Sequence, residues 1–463
     1  MYENKPKNEE QSATISPTET PQNITEPSRK VSRGNKPPRV RSWILAVCIG
    51  AGAFLGGMLT RELMLDPELR SLQRLKESIQ KNYYEEVSDE AFYKILFEAV
   101  NENVLDEYSW YMRGEEYKQS QTEAKGEQSG IGLVLRTQDA SGNEQMLISR
   151  ICGNSPAEAV GVKTGEYVTG FGKSETQLVS SEKFSEFSEF LGACETGEEF
   201  CLRLRFGADG DERIVRIAKS VYVENYVFYK TKTSAYRFTG NNALEMAEGN
   251  EPLSCLPDDT AYIRLVKFNG EAANEVAKAM ERFQSDGKKN LVLDLRGNGG
   301  GYLDIMQEIS RYFCKNATAD KPVVAVADYG EKKTKFRATG NDYGKYFSAD
   351  SRICVLADSE TASASECLLG CMLDYATIAP TDICLTARGG VARTYGKGIM
   401  QTTYPYLTLA GDAVKLTTAK ILWPITSKCI HGIGVLPSDG ALTVEENSLW
   451  EQETQAALQT LFP

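Results

Sequence analysis

Histidine is nearly absent from this chain, with one (His431) in 463 residues. A histidine-rich zinc site is therefore impossible, and any serine nucleophile must find its base elsewhere. Paired C-x-x-C cysteines are also missing among the eleven cysteines, which excludes a zinc ribbon and a thioredoxin-like centre. Cys354, Cys367 and Cys371 lie in apolar runs and read as buried thiols. Basic residues are outnumbered, 52 Lys and Arg against 64 Asp and Glu, and no basic face is evident. That balance argues against nucleic acid as a partner. Long apolar runs are scarce too. The one of membrane-spanning scale is Trp43 to Leu59, 17 residues without a charge, at the lower limit for a transmembrane helix.

That run organises the N-terminal end. Residues 1–42 hold six of the sixteen prolines and many Ser, Thr, Glu and Asn, the composition of a disordered tail. Arg29, Lys30, Arg33, Lys36, Arg39 and Arg41 precede the run, which places the N-terminus in the cytoplasm. Ala51-Gly52-Ala53 has the look of a signal-peptide cleavage site, but the long polar stretch ahead favours an uncleaved signal anchor over 43–60. The expectation is a single-pass cell-membrane protein with everything from about Leu65 onward outside the membrane.

Residues 66–125 carry helical spacing, with Ser88 as a cap before Phe92, Ile95, Leu96 and Val100, and predict a helical arm. Over 126–220 the period changes to short strands with turns at Ser141-Gly142-Asn143 and Gly153-Asn154, and a short helix starts at Ser155-Pro156. The loop Gly130-Ile131-Gly132-Leu133 precedes the first strand, where successive N–H groups can receive a peptide carboxylate. Residues 225–260 are polar and predict no element. From Thr260 an α/β rhythm sets in, and strands run into two small-residue turns, "GNGGG" and "TASASE". In open α/β sheets, sites are built at such strand ends.

Two motifs fail on spacing. "GGVARTYGKG" places five residues, not four, between Gly390 and Gly396, with Gly398 where a phosphate loop needs Ser or Thr. "GNGGGYL" has Tyr302 at the third glycine of a dinucleotide fingerprint. No cofactor is called for. The base for Ser363 or Ser365 can instead be a neutral lysine, and Lys397 sits between two glycines in "TYGKGIMQ". Its reference pKa of roughly 10.4 must fall through burial or neighbouring positive charge for it to act at neutral pH.

Taken in order, "NSPAEAVGVKTGEYVTGFG", "YIRLVKFNG", "LVLDLRGNGGGYL", "DSETASASECLLGCMLDY", "TYGKGIMQTTYPY" and "LTTAKILWPITSKCIHGIGVLPSD" resemble the C-terminal processing peptidases, or tail-specific proteases. The resemblance runs from about Asn82 to Asp439. It implies a serine peptidase with an α/β core of mixed sheet and flanking helices over 221–443, an inserted PDZ domain over 126–220 and a C-terminal helix over 444–463. It implies Ser363 as nucleophile, Lys397 as general base and Gln401 as the residue that orients the lysine. Ala364 and Gly300 would supply oxyanion N–H groups, and Gly130, Ile131, Gly132 and Leu133 would take the substrate's C-terminus. Ser365 and Glu366 read as structural, and His431 as a loop residue. The implied partners are proteins or peptides with free C-termini; homo-oligomerisation is left open. Ser363 and Lys397 are 34 residues apart, longer than the family's usual spacing, which predicts an altered lid or pocket wall over 376–392. Gly299 replaces the family's proline, which predicts a looser oxyanion turn. The competing expectation is an inactive PDZ-containing scaffold that binds peptides without cleaving them.

Overall fold

The computed structural model describes residues 66–138, 142–207, 210–238, 244–246, 252–406, 411–447 and 450–462. The chain divides into two units at Phe92/Tyr93. In the first, α1 (Pro67–Asn82) opens with Asp66, whose carboxylate accepts from Glu68 N at 2.9 Å, and Pro67 at the first helical position. The predicted cap also forms: Ser88 Oγ accepts from Ala91 N at 3.1 Å at the start of α2 (Asp89–Asn103). The expected core face of α2 is only partly covered, for Ile95 and Val100 are exposed.

The second unit contains the rest of α2 and then β1 (Trp110–Met112), a strand where the periodicity predicted only helix, followed by α3 (Gly114–Ala124). The chain next enters a β-rich module through β2 (Glu127–Gly130). Inside it lie β3 (Leu133–Gln138), β4 (Glu144–Ile151), β5 (Glu166–Gly172), β6 (Val179–Ser180), helix α4 (Phe184–Ala193), β7 (Glu199–Phe206) and β8 (Glu212–Ala218). The exit is β9 (Ser220–Val223), which pairs antiparallel with β2 and so closes the neck of the module. The module's antiparallel sheet has the order β3-β4-β5-β7-β8, with β6 on β5. Its alternating strands turn Leu133, Leu135, Met146, Ile148, Leu202 and Leu204 onto one face, against Phe187 of α4.

The remainder is a mixed α/β core. It comprises β10 (Val227–Lys230), β11 (Ala235–Phe238), β12 (Leu244–Met246), β13 (Thr260–Leu265), α5 (Ala272–Ser285), β14 (Asn290–Asp294), α6 (Leu303–Ser310), β15 (Val323–Asp328), β16 (Lys333–Arg337), β17 (Ile353–Asp358), α7 (Ala364–Asp374), β18 (Ile383–Ala387), β19 (Ile399–Pro405), β20 (Ala413–Leu422), β21 (Leu442–Glu445) and α8 (Trp450–Leu461). The main sheet runs β12-β11-β10-β13-β14-β17-β18-β21 and is parallel from β13 to β21. A second, antiparallel sheet runs β1-β20-β15-β16, with β19 on β20. Strands β14 and β17 are buried along their length, as strands covered on both faces must be. The three cysteines read as interior thiols, Cys354, Cys367 and Cys371, are buried.

Three expectations are corrected. The polar stretch 225–260 contains β10 to β12, which extend the main sheet. Within the segment 376–392, read as a changed lid or pocket wall, Ile383–Ala387 form β18, wholly buried between β17 and β21. The cell-membrane assignment, with a cytoplasmic N-terminus and an extracytoplasmic catalytic domain, is withdrawn. Among the described residues no helix is long and apolar enough to cross a membrane, and both the expected anchor over 43–60 and the tail 1–42 lie outside the described residues.

The core is locked by buried charge. Arg296, at the end of β14, donates to Asp294 at 2.5 Å and to Glu453 of α8 at 2.7 Å, and all three side chains are excluded from solvent. Arg388 donates to Glu453 at 2.6 Å and Asp358 at 3.1 Å, while Trp450 stacks on the Arg296 guanidinium. Removing one member of such a set leaves a buried charge uncompensated. Glu453→Ala is therefore expected to cost about 3–5 kcal/mol of stability, measured as a lower urea midpoint with unchanged slope. A loss under 1 kcal/mol would contradict the network's role.

Candidate active site

Strand β17 ends at Asp358, and the chain turns through Ser359–Ala362 into α7 with Ser363 immediately before its first residue. Ser363 has φ 57°, a left-handed conformation that costs a non-glycine residue of order 1–3 kcal/mol. The turn is held by several bonds. Thr361 Oγ1 donates to Leu295 O at 2.9 Å, Ala362 N donates to Asn298 O at 3.0 Å, and Ser365 Oγ donates to the same carbonyl at 2.9 Å. Ser363 N donates to Glu366 at 3.0 Å.

Glu366 is fully buried and receives three further bonds. They come from Thr394 Oγ1 at 2.6 Å, Gly396 N at 2.8 Å and Lys397 N at 2.8 Å. Burial pushes its carboxyl above the usual range, and these donors hold it back. One carboxylate thus joins the serine turn to the lysine turn across 31 residues of sequence. The glycines beside Lys397 have the predicted use. A Cβ on Gly396 would press on Gly434 N and Ile433 N at 2.9 Å, and one on Gly398 would meet His431 N at 2.6 Å. Lys397 is half-buried, with its ammonium 4.8 Å from the ring centre of Tyr108. Burial lowers its pKa, against the opposing pull of Asp106, Glu107 and Glu366.

The other expected residues divide. Ala364 is the first residue of α7, where a helix leaves its N–H without an internal acceptor. Gly300 lies beside it: a Cβ there would stand 2.8 Å from Ser363 Cβ and 2.9 Å from Ala364 N. Its own N–H, however, donates to Asn298 Oδ1 at 2.9 Å, so the expected oxyanion donor is already engaged. Nor is the "GNGGG" turn loose. Asn298 is fully buried, and its side chain also donates to Leu265 O at 2.8 Å. Gln401 is not seated on the lysine either; its amide donates to Thr417 Oγ1 at 3.2 Å, next to a bulge in β19. His431 is an exposed loop residue, as read.

Gly130 is the last residue of β2 and Leu133 the first of β3, opposite Ile151. Between them the carbonyls of Ile131 and Gly132 accept from Ala157 N and Cys152 N, both at 2.9 Å. A side chain on Gly132 would collide with Ser155.

Tyr108 and Tyr395, whose hydroxyls meet at 3.2 Å, were not foreseen. The aromatic run "YSWYM" in a stretch otherwise read as a helical arm was the available signal. Asn298, too, was visible only as one letter in a glycine turn.

Because any side chain on Gly300 projects at Ala364 N, Gly300→Ala is expected to lower turnover of an unfolded protein substrate by about 10²–10³. Wild-type turnover in a folded Gly300→Ala chain would remove Ala364 N from the reacting centre.

Comparison with known proteins agrees with this geometry. Residues 259–439, which span both turns, match the model of peptidase family S41. The chain is 23% identical over 476 residues to a protein of Staphylococcus haemolyticus (strain JCSC1435) named as a probable CtpA-like serine protease, covering 96% of this chain and 85% of that one. A protein of the same name in Staphylococcus epidermidis (strain ATCC 12228) is 25% identical over 387 residues, covering 82% of this chain and 67% of its own. Among solved structures, a candidate S41 protease from Bacteroides fragilis NCTC 9343 aligns with a TM-score of 0.50 at 16% identity, over 82% of this chain and 91% of that one. That last likeness is one of fold. Together with the motifs, these matches support a serine-type peptidase, similar to the C-terminal processing peptidases and to peptidase family S41 over residues 259–439.

Proposed function

We propose that the chain is a serine endopeptidase that cleaves proteins near their C-termini, with Ser363 as nucleophile and Lys397 as general base. The observation that carries this reading is the Glu366 carboxylate, which binds the backbone of both residues at once. In the proposed reaction the neutral Lys397 amine takes the Ser363 Oγ proton as Oγ bonds to the scissile carbonyl carbon. The oxyanion that forms meets Ala364 N–H at the start of α7. Collapse breaks the peptide C–N bond, and the Lys397 ammonium returns the proton to the departing amine. Water then adds to the acyl-enzyme with the same amine as base, restoring Ser363. Gln401 acts through Thr417 and the Ser109 hydroxyl, which donates to Thr417 at 3.3 Å beside Tyr108, rather than by touching the lysine.

The β-rich module is proposed to be a PDZ domain that senses the substrate's C-terminus through Gly130 to Leu133. The close seating of this loop on the Ser155–Ala157 turn supports the reading. Folded units over 126–220 and 221–443, with a C-terminal helix over 444–463, are part of the same proposal.

The test is cleavage of an unfolded model protein by wild type, Ser363→Ala and Lys397→Ala, with fragments read by mass spectrometry. Fragments should come from wild type alone. Unchanged turnover in either variant would remove the dyad, and binding of C-terminal peptides without cleavage by wild type would favour the scaffold. The lowered pKa of Lys397 adds a sign. The base must be neutral, so kcat/KM should rise with pH through an apparent pKa below the usual roughly 10.4 of lysine. A flat profile across that range would exclude the lysine as base.

A further inference from the structure

A cavity of about 480 Å³ opens between the outer face of β3 and β4 and the carboxyl ends of the core's parallel strands. Gly297 and Glu360, from the two small-residue turns, form part of its wall, but Ser363, Lys397 and residues 130–133 do not line it. Its module wall includes Arg136, Ser149 and Arg150, while Met146 and Ile148 of the same sheet are buried in the module's own core. Its core wall includes Arg264, Arg388 and Trp450.

Three of these guanidiniums have acidic partners in the chain. Arg136 pairs with Glu446 at 3.0 Å, Arg150 with Glu224 at 2.6 Å, and Arg388 with Asp358 and Glu453. Arg264 differs. Among the described residues it forms no ion pair, and its buried Nε has no hydrogen-bond partner. Its guanidinium lies over the indole of Trp450, 3.8 Å from the ring centre. The nearby carboxylate of Asp294 is already bonded by Arg296 and by Tyr262 Oη at 2.5 Å. Arg150 stands near enough across the cavity to push the Arg264 pKa down further. Two like charges lining one cavity repel, and an anion bound between them would relieve that repulsion. Glu360 is the one acidic lining residue; it sits toward Arg136 and Arg388, and burial and Asp358 raise its pKa.

We propose that this cavity is an oxyanion-binding site in which Arg264 of the core and Arg150 of the module grip one small multivalent anion carrying carboxylate or phosphate groups. The guanidinium fork matches either group in two parallel bonds. The volume lies within the usual range for small-molecule sites, roughly 300–1,000 Å³. Each of the two arginines comes from a different part of the chain, so the bound anion ties the module to the core. The inference stands apart from the serine–lysine assignment.

The test titrates the full chain with citrate as the carboxylate source and pyrophosphate as the phosphate source, at fixed ionic strength. Tryptophan fluorescence and melting temperature are the readouts, because Trp450 forms part of the wall. At least one anion should give a saturable change that raises the melting temperature, and the anion that does so names the source. Arg264→Lys and Arg150→Gln should each weaken that binding roughly ten- to hundred-fold, the range for lost charge-assisted bonds. Ser363→Ala should bind as wild type does, which separates this result from the fate of the proposed mechanism. The proposal is overturned if neither anion saturates, or if both arginine variants bind with wild-type affinity. Should Arg264→Lys fail to fold, the part-exposed Arg150 decides alone, and unchanged affinity in its variant overturns the site.

Discussion

The Glu366 carboxylate is the constraint on which the rest of the site depends. A charge taken out of water is costly unless it is fully hydrogen-bonded, and here four donors from two distant segments meet it. Its place in the first turn of α7 adds the favourable field of a helix N-terminus. The same carboxylate restrains the left-handed Ser363 backbone, so one buried group both tolerates the strain and fixes what stands opposite it. Thr394 shares in this, because its hydroxyl donates to Glu366 and accepts from Val435 N at 2.7 Å. The lysine turn is therefore pinned from both sides.

Local features were legible in the sequence. Strands β4 and β5 fall on the runs "EQMLISRI" and "EYVTGFG", and the turn from β17 into α7 follows its small residues. The glycines around Lys397 announce close backbone packing, which the 430–434 loop provides. What stayed hidden depends on partners far away in sequence. Ser365 reads as one more small residue until Asn298, 67 residues earlier, is found beneath it. Gly300 stands beside Ala364 N with its own N–H bonded to Asn298, which the sequence could not show, because an N–H group looks the same there whether or not a side chain has claimed it. Strands β10 to β12 were left unassigned because they are short and lie in a polar stretch, although β10 buries Val227 and Tyr229 in the core. Strand β18 was misread for another reason. Measured against an expected spacing, its residues looked like an insertion, whereas their apolar side chains fill the sheet between β17 and β21.

The module and the core are joined at a narrow neck. Strands β2 and β9 pair there, and just beyond it Glu275 of α5 accepts from the backbone N–H groups of Tyr226 and Val227 at 2.8 and 2.9 Å. The core thus takes hold of the chain within four residues of the end of β9. Bending between the two parts is left to the few residues of the neck itself, and contacts such as Arg136 with Glu446 restrain it from the far side.

The pairing of Arg296 with Glu453 also bears on how the molecule reaches its native state. Arg296 lies at the end of a central strand, yet its buried partner comes 157 residues later. Until α8 docks, the guanidinium at the middle of the sheet lacks one of its carboxylates and the indole that covers it. Asp294 alone then faces the guanidinium, so docking of the last helix is a long-range step that completes its pairing. Asn298 stands two residues beyond Arg296, and its loop inherits that order of events. Peptidase chemistry would then wait on the arrival of a helix that contributes no atom to the reaction.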